Sequence, residues 1–353
     1  MHRGHPEGIS FCKKPADDDG ASGLDLKLLK PRPPVGFPKA DEARSDASCE
    51  DDNVKTAVIG SLGMLARDLC LTLEEARHEV IGLDLPDVDI RQQDQITSTL
   101  IGLTPDIVIN CAAYTNVDQA ESDSDLAYAV NRDGALHVAR ACSGMQIPLI
   151  HISTDYVFDG NARRPYREDD EATPLGVYGM SKLEGEKQVR SSIVQHYILR
   201  TSWLYGIHGK NFVKTILSHG RIKPELRVVS DQYGCPTWTQ DLAEAICALL
   251  ARTERRMPAP WGTYHFCGVG ITTWHSLAEL IIREGRNYEA LTTSRVVPIP
   301  TKDYPTAAKR PLYSALDCQK FEGALGIRPP AWQDSLKLML ARLYGAKGSR
   351  IED

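Results

Sequence analysis

Residues 54–66 read VKTAVIGSLGMLA, a short apolar strand followed by a glycine turn and the start of a helix. In this stretch Gly60, Gly63 and Ala66 follow the spacing G-x-x-G-x-x-A, a variant of the dinucleotide-binding fingerprint. Glycine lets the backbone approach a pyrophosphate, and a helix N-terminus favours its negative charge. A small residue at position 66 permits close packing of the helix on the strand. We therefore predict the first unit of a dinucleotide-binding sheet, with a purely structural βα turn as the alternative.

The same alternation of strand and helix continues along the chain. Apolar strand patterns occupy residues 79–84, 106–110, 149–154 and 197–200, and helical patterns occupy residues 64–73, 96–103, 126–142, 178–191 and 240–251. Continuous apolar strands that alternate with helices indicate a parallel sheet covered on both faces. The sequence predicts an α/β fold, a Rossmann-type doubly wound parallel sheet.

The alternation loosens beyond about residue 204. Residues 204–235 have an irregular pattern, and residues 257–353 show a short strand at 263–266, a helix at 274–285 and a last helix near 332–344. We predict a dinucleotide-binding domain of residues 54–203 and about 236–256. We predict that residues of about 204–235 and 257–353 form a smaller α+β substrate-binding domain. The proline-rich and acidic residues 1–53 cannot build a core and predict a disordered leader.

Composition excludes several classes of protein. The 353 residues carry a formal net charge of -6, which argues against nucleic acid as a partner. No apolar run approaches the roughly 20 residues that span a bilayer, so no membrane partner is expected. The nine cysteines are scattered without a CxxC pair, which favours reduced thiols over a disulfide framework or zinc site. These features predict a cytoplasmic protein.

An acidic residue ends the second predicted strand. Asp84 follows the glycine turn at the position where a carboxylate accepts the hydroxyls of an adenosine ribose. A carboxylate there disfavours the 2′-phosphate of NADP by charge repulsion. Asp89 and Ile90 lie close enough in the chain to line an adenine pocket. The alternative is an ordinary turn aspartate.

Two further strand ends carry small or polar residues. Residues 110–115 read NCAAYT, and their small side chains leave room for a cofactor at the sheet edge. Residues 153–156 read STDY, which places a hydroxyl and a carboxylate at the same edge. Tight packing, a turn or a helix cap would account for either segment taken alone.

Tyr178 and Lys182 lie four positions apart on the predicted helix 178–191 and therefore share a face. The pKa of free tyrosine is about 10, and a neighbouring cation lowers it, which makes the phenol a usable acid or base. Such pairs also occur by chance on solvated faces. Together with the Thr154 hydroxyl and a dinucleotide fold, the pair predicts a carbonyl–alcohol redox site. Nicotinamide supplies hydride there, tyrosine supplies the proton, and lysine holds the ribose.

Longer motifs around these residues resemble the extended short-chain dehydrogenase/reductase family, and within it the dTDP-4-dehydrorhamnose reductases. The resemblance covers about residues 54–340. Its motifs are NCAAYTNVD at 110–118, STDYVFDG at 153–160, YGMSKLEGE at 178–186, RTSWLYG at 200–206, DQYGCPT at 231–237 and DYPT at 303–306. Departures are Ala66, where glycine is common, Tyr114, where histidine is frequent, and the leader.

The resemblance implies roles for individual residues. Tyr178 is expected to be the proton donor, Lys182 its partner, and Thr154 the hydroxyl that tunes the phenol. The substrate is expected to contact Thr154, Asp155 and Trp203. The cofactor is expected to meet Gly60, Gly63, Met64, Leu65, Asp84, Asp89, Ile90, Ala113, Tyr114, Thr115, Ile152, Tyr178 and Lys182.

The activity implied by the resemblance is reduction of the C4 ketone of dTDP-4-dehydro-L-rhamnose to dTDP-L-rhamnose with NADPH or NADH. This step belongs to nucleotide-sugar and polysaccharide precursor synthesis. The resemblance further implies a dTDP-sugar substrate, a homodimer and an association with Mg²⁺, although the sequence shows no metal-ligand cluster.

Two alternatives stay open. One is a non-catalytic NADP-binding regulatory subunit resembling the methionine adenosyltransferase beta subunit, which keeps the Tyr/Lys pair. The other is a different nucleotide-sugar reductase or epimerase. Thr154 and the run Thr201-Ser202-Trp203 favour the reductase.

Overall fold

The computed structural model describes residues 53–254 and 259–348. Its strands are β1 (Lys55–Ile59), β2 (Glu79–Leu83), β3 (Ile107–Asn110), β4 (Leu149–Thr154), β5 (His196–Thr201), β6 (Leu204–Tyr205), β7 (Glu225–Val229), β8 (Tyr233–Gly234), β9 (Thr237–Trp238), β10 (Gly262–His265), β11 (Thr272–Thr273) and β12 (Arg295–Ile299). The predicted leader, apart from its last residue, lies outside the described residues.

Helices follow most of these strands. They are α1 (Met64–Glu75), α2 (Gln93–Leu103), α3 (Val117–Ala120), α4 (Ser124–Tyr128), α5 (Ala135–Met145), α6 (Val177–Ser192), α7 (Phe212–Ile222), α8 (Thr239–Glu254), α9 (Trp274–Gly285), α10 (Gln319–Leu325) and α11 (Trp332–Gly348). In the described segments, no helix combines the length and apolarity needed to cross a bilayer.

The main sheet has the strand order β2-β1-β3-β4-β5-β10 among the described residues, and every neighbouring pair is parallel. The predicted fold class is confirmed. The chain runs from β1 outward to β2 and then returns to β3 on the other side of β1. The strand order therefore reverses between β1 and β3, and in such sheets ligands bind in the crevice at the carboxyl edge of this switch point.

Both faces of the sheet are buried, as the continuous apolar strands predict. Along β1, Ala57 and Ile59 face one core and Val58 faces the other, because successive strand residues point to opposite faces. The first core includes residues of α2 and α5. The second is covered by α1 and α8, through Leu69 and Leu242 among others. Each of these side chains is almost fully removed from water, which is the main stabilising contribution to the sheet.

The prediction of an irregular segment at 204–235 is wrong. This segment contains α7, which begins at the cap Asn211, whose side chain accepts a hydrogen bond from Lys214 N at 3.1 Å. Val213 and Leu217 on α7 pack with Ile281 of α9 in a third core. Strand β7 follows and pairs with β12 in parallel. The four-residue spacing of Val213 and Leu217 was the sequence signal for this helix.

Strand β10 joins the main sheet at the edge beside β5. The domain division predicted from the sequence assigned this strand to the smaller region. Sequence periodicity does not show the pairing, because the parallel partner strand, Tyr197 to Arg200, lies more than sixty residues earlier in the chain. Phe321 and Leu325 of α10 also belong to the core on the α1 and α8 face. The two-domain division itself stays a prediction.

Candidate active site

Helix α6 presents the predicted pair at the carboxyl edge of β4. Its first turn is anchored by Glu121, whose Oε1 accepts a hydrogen bond from Val177 N at 2.9 Å. Gly179 permits a close approach, because a Cβ there would lie 2.2 Å from the carbonyl oxygen of Tyr156. The helix therefore lies directly against residues 154–157, which brings Tyr178 to the predicted Thr154 segment.

The side chain of Tyr178 is half-buried. Its ring meets that of Tyr156 edge to face, with the centroids 5.7 Å apart. Burial raises the pKa of Tyr178 to about 12, the Thr154 hydroxyl lowers it, and the Asp155 carboxylate raises it. The lowered pKa that we predicted from the neighbouring lysine is therefore wrong for this structure, because desolvation outweighs the favourable contacts.

The ammonium of Lys182 is almost fully buried at 2 % exposure. It donates a hydrogen bond of 2.6 Å to the carbonyl oxygen of Ile152 and lies 3.5 Å from Nε2 of His151. Burial lowers the pKa of Lys182 to about 8, while the nearby Glu186 carboxylate raises it. Near neutral pH the group is thus a buried cation that is able to release its proton at mildly alkaline pH.

Thr154 and Asp155 form the end of β4 and the turn after it. The Thr154 hydroxyl donates to Asp155 Oδ1 at 3.1 Å and accepts from Tyr156 N at 3.2 Å. Asp155 is 2 % exposed, and burial raises its pKa to about 7 against the lowering effect of the Ser314 and Thr154 hydroxyls. A hydroxyl and a partly protonated carboxyl group therefore stand beside the phenol.

The glycine turn after β1 fits a dinucleotide phosphate. Gly60 has φ +77°, and a Cβ there would lie 2.7 Å from Ala112 N, so only glycine fits between the turn and the segment after β3. Gly63 is the N-cap residue of α1 and has no side chain that could accept a hydrogen bond from the first turn of the helix. The first backbone N–H groups of α1 are left for a ligand, the arrangement that binds a pyrophosphate.

Asp84 holds this turn in place. Its Oδ2 accepts a hydrogen bond from Leu62 N at 2.8 Å, and its Oδ1 accepts one from Leu85 N at 2.8 Å. Each carboxylate oxygen has a second lone pair for a ribose hydroxyl. Asp84 therefore has a structural role in addition to the binding role that we predicted.

The other predicted cofactor residues lie at the same edge with different degrees of burial. Leu65 and Ile90 are 6 % and 5 % exposed and belong mainly to the two cores beside the sheet. Met64 lies at the start of α1, and its Sδ is 3.6 Å from Asn211 Nδ2. The carboxylate of Asp89 is bound by Arg91, which lowers its pKa.

Residues 113–115 are held by a side chain that the sequence analysis missed. Asn131 Oδ1 accepts from Tyr114 N at 2.9 Å, and its Nδ2 donates to Tyr114 O at 3.1 Å and Ser181 Oγ at 2.9 Å. Ala113 and Thr115 lie on either side of Tyr114 in the chain, next to these two hydrogen bonds. Asn131 lies in a π-helical turn, Ala129–Gly134, that interrupts the predicted helix 126–142 between α4 and α5. Gly185 leaves room for it, since a Cβ there would lie 2.1 Å from Asn131 O.

Trp203 follows β5 with φ +46°, an unusual conformation for a residue other than glycine. Its indole stacks on Trp274, with the ring centroids 3.5 Å apart and the planes within 5°. A Cβ on Gly234 would lie 2.4 Å from Trp203 Cε2. Strained backbone of this kind clusters at ligand sites. Here it is supported by the packing of the Trp203 ring against Trp274 and Gly234. Trp274, the first residue of α9, therefore packs directly on a predicted site residue.

A buried ionic cluster beside Lys182 was also missed. Glu186 accepts hydrogen bonds from Ser153 Oγ at 2.6 Å, Arg200 Nε at 2.8 Å and Arg190 Nη1 at 3.1 Å. The signal was present in the motif YGMSKLEGE, because Glu186 follows Lys182 at the same four-residue spacing that separates Lys182 from Tyr178. The motif alone did not show that the glutamate is buried and paired with Arg200.

These groups allow one kind of chemistry. A phenol with a hydroxyl and a buried cation near it can give a proton to, or take one from, a substrate oxygen. The glycine turn lies at the adjoining strand ends, where a dinucleotide would extend along the sheet edge toward the phenol.

Comparison with known proteins agrees with this arrangement. The family model described as the RmlD substrate binding domain matches residues 54–344. A spore coat polysaccharide biosynthesis protein, SpsK, of Bacillus subtilis is 41% identical over 80% of this chain and 95% of its own length. A dTDP-4-dehydrorhamnose reductase of Sinorhizobium fredii is 40% identical over 81% of this chain and 97% of its own length.

Solved structures give the same result. A dTDP-4-dehydrorhamnose reductase of Clostridium acetobutylicum has a TM-score of 0.77 at 38% identity and covers 82% of this chain and 99% of its own. One of Bacillus anthracis, in complex with NADP, has a TM-score of 0.76 at 33% identity over the same shares of the two chains. The match extends over both the sheet and the smaller region, so the chain belongs to the RmlD substrate-binding-domain family, the dTDP-4-dehydrorhamnose reductases among the extended short-chain dehydrogenases/reductases.

Proposed function

We propose that the protein reduces the C4 ketone of dTDP-4-dehydro-L-rhamnose to dTDP-L-rhamnose with NADPH or NADH. The observation that carries this proposal is that the Tyr178 phenol interacts with Thr154 while Lys182 binds the carbonyl oxygen of Ile152, so that all three groups lie along the end of β4, in a chain whose relatives are named dTDP-4-dehydrorhamnose reductase. The product would serve nucleotide-sugar and polysaccharide synthesis, in keeping with the name of the Bacillus subtilis relative.

A reduced nicotinamide, when bound at the carboxyl edge of the sheet, would supply the hydride that the C4 carbon of the ketone needs. Tyr178 then gives its phenolic proton to the C4 oxygen, so that the ketone gains one hydride and one proton and becomes a secondary alcohol. The Thr154 hydroxyl would stabilise the phenolate that remains by turning its single proton from Asp155 Oδ1 to the phenolate oxygen. Lys182, whose ammonium is held on the Ile152 carbonyl oxygen one helical turn from Tyr178, would bind the nicotinamide ribose.

The substrate contacts are part of the same proposal. Thr154 and Asp155 would bind sugar hydroxyls at the end of β4, and Trp203 would cover the sugar from the end of β5. The raised pKa of Asp155, about 7, allows it to donate or accept a hydrogen bond near neutral pH. The burial of Thr154 and Asp155 supports a role inside a closed cleft.

Asp84 affects the relative affinity for NADH and NADPH. Its carboxylate would accept ribose hydroxyls of NADH and repel the 2′-phosphate of NADPH. The Bacillus anthracis relative was solved with NADP, which supports NADPH as a cofactor. We therefore propose that both are accepted.

Other expectations have less support. In residues 53–254 and 259–348, no three His, Cys, Asp or Glu side chains lie close enough together to hold a metal ion, and we assign no magnesium site. The homodimer and the cytoplasmic location stay predictions.

The regulatory-subunit alternative is not favoured, because the relatives carry reductase names and Thr154 supplies a hydroxyl beside the phenol. A direct test mixes the purified protein with dTDP-4-dehydro-L-rhamnose and either cofactor and follows the loss of reduced-nicotinamide absorbance. Turnover that is abolished in Tyr178→Phe supports the reductase. Tight cofactor binding without turnover, with either cofactor, would identify a non-catalytic subunit.

A further inference from the structure

Glu186 is a fully buried carboxylate on the face of α6 that carries Tyr178 and Lys182. Its side chain has 0% exposure, and Arg200, which binds it, has 4%. A charge removed from water at this depth is costly unless it is paired and hydrogen-bonded, so its presence beside the proton-delivering pair calls for a physical account.

The contacts of Glu186 are sufficient to keep it ionised. Arg200 binds it through Nε at 2.8 Å and Nη2 at 2.7 Å, a two-point contact between a guanidinium and a carboxylate. Ser153 and Arg190 add further donors at 2.6 Å and 3.1 Å. Although burial alone would raise the pKa of Glu186, these donors lower it to about 2. Glu186 is thus an anion throughout the range in which the protein would work.

A continuous path joins this anion to Lys182. Ser153 is the residue after Ile152, and the carbonyl oxygen of Ile152 accepts the hydrogen bond from Lys182 Nζ. The bond between Ser153 and Glu186 therefore ties the end of β4 to α6 at the point where the lysine binds the strand.

The other groups that face Lys182 do not supply a negative charge. Burial raises the pKa of Cys111 to about 12, which leaves it a neutral thiol. Burial and the lysine itself hold the pKa of His151 well below its ordinary range, which leaves it a neutral imidazole. On α6, Tyr178 has a pKa of about 12 and is neutral as well. Farther along the cluster, His265 lies beside Arg200, and burial lowers its pKa to about 3.

We propose that Glu186 is a positioning residue of the active site, whose buried carboxylate, held by Arg200 and Ser153, keeps Lys182 charged and aligned beside Tyr178. It acts through the lysine and touches neither substrate nor cofactor. The importance of this effect for turnover rests on the proposed function, whereas the effect on the lysine does not.

The experiment measures the protonation of Lys182 directly. Lysines are labelled with ¹³C at Cε, the Lys182 resonance is assigned by its loss in Lys182→Arg, and its shift is followed against pH in the free protein. Glu186→Gln removes the charge but keeps the shape. We expect the midpoint of the titration, about 8 in the original protein, to fall by about one pH unit. The alkaline limb of the kcat profile should move to lower pH by the same amount.

Matched variants separate charge from folding. Glu184→Gln makes the same chemical change on the same helix, but Glu184 is partly exposed and pairs with Lys187, so the midpoint should not move. Glu186→Gln leaves Arg200 buried without its partner, which could unfold the protein. Glu186→Gln combined with Arg200→Met removes that charge and should still show the lowered midpoint, because Arg200 is not among the charges that act on Lys182.

Equal Lys182 midpoints in the original protein and in the folded variants would overturn the proposal. A lowered midpoint with no turnover in the original protein would uphold the role of Glu186 and refute the proposed reductase activity. A lowered kcat without any movement of the alkaline limb would show that Glu186 has a structural role only, and this too would overturn the proposal.

Discussion

Lys182 Nζ donates a hydrogen bond of 2.6 Å to the carbonyl oxygen of Ile152, which joins α6 to the end of β4. The bond fixes the lysine on the strand whose next residues are Ser153 and Thr154. The carboxyl edge of the sheet and the helix that carries Tyr178 are therefore linked directly through the lysine. A site supported in this way needs little reorganisation when charge moves, which is the condition for efficient electrostatic stabilisation.

Replacement of Tyr178 by phenylalanine should lower kcat by about 10²–10⁴-fold, the usual contribution of a positioned general acid. The ring is retained, so its edge-to-face contact with Tyr156 and the fold should persist. Steady-state kinetics give kcat, and fluorescence titration gives the dissociation constant of the cofactor, which should stay unchanged. A variant with undiminished kcat would remove Tyr178 from the proton-donor role.

Replacement of Asp155 by asparagine should stabilise the folded protein above about pH 7 while it lowers turnover. The pKa of Asp155 is about 7 in the folded state, whereas the ordinary value of an aspartate is 3.8. Between these values the folded state binds more protons than the unfolded state, so stability falls as pH rises through this window. Asparagine has no charge to bury and escapes that loss.

Urea unfolding curves at several pH values check this prediction. The variant and the original protein should differ least below about pH 4, where the carboxyl group is protonated in both states, and most above about pH 7. A constant difference across the whole range would show that the Asp155 carboxylate is not destabilising in the fold.

Replacement of Gly60 by alanine should lower the free energy of unfolding by about 1–3 kcal/mol and abolish tight cofactor binding. The added Cβ would lie 2.7 Å from Ala112 N in a backbone with φ +77°, so the turn must open. Gly102→Ala on α2 is the control. No atom lies within 4 Å of its added Cβ, and it should stabilise the helix by about 0.5–1 kcal/mol.

Calorimetric titration with NADPH and chemical denaturation of both glycine variants provide the measurement. Cofactor affinity that survives in Gly60→Ala would show that the phosphate lies elsewhere on the sheet edge.

Replacement of Asp84 by asparagine should raise the affinity for NADPH relative to NADH by about fivefold, because a contact between two exposed charges is worth about 1 kcal/mol. Asparagine can still accept one of the two backbone hydrogen bonds from Leu62 and Leu85. Asp87→Asn, a change at an exposed neighbour, serves as the control. An unchanged ratio of the two dissociation constants would mean that Asp84 acts on the turn alone.

Much of the α/β layout was predictable, because its signals are local. The strands β1 and β4 and the helices α1 and α9 correspond to apolar runs and helical spacing of ordinary length. Strand β10 was recognised as a strand but assigned to the smaller region. Its parallel pairing with β5 is a contact between segments far apart in the chain, and periodicity carries no information about such contacts.

The candidate site was predictable in its residue types and less so in its electrostatics. The spacing of Tyr178 and Lys182 follows from the helix alone. The roles of Asn131 and Glu186 do not, since one side chain projects from a π turn and the other is buried by β4 and β5. The four-residue spacing of Tyr178 and Lys182 predicts a lowered pKa of the phenol, because it takes account of the neighbouring cation alone. In the fold, burial raises the pKa of Tyr178.

The sequence by itself determined the alternation of strands and helices, the glycine turn at Gly60 and the order in which chemical groups follow the strands. These features depend on backbone sterics and on periodicity within a few residues. Only the tertiary structure decided which groups meet and in what charge state. Burial sets the desolvation of Tyr178, Lys182 and Asp155, and burial depends on segments that are distant in the chain and adjacent only in the fold.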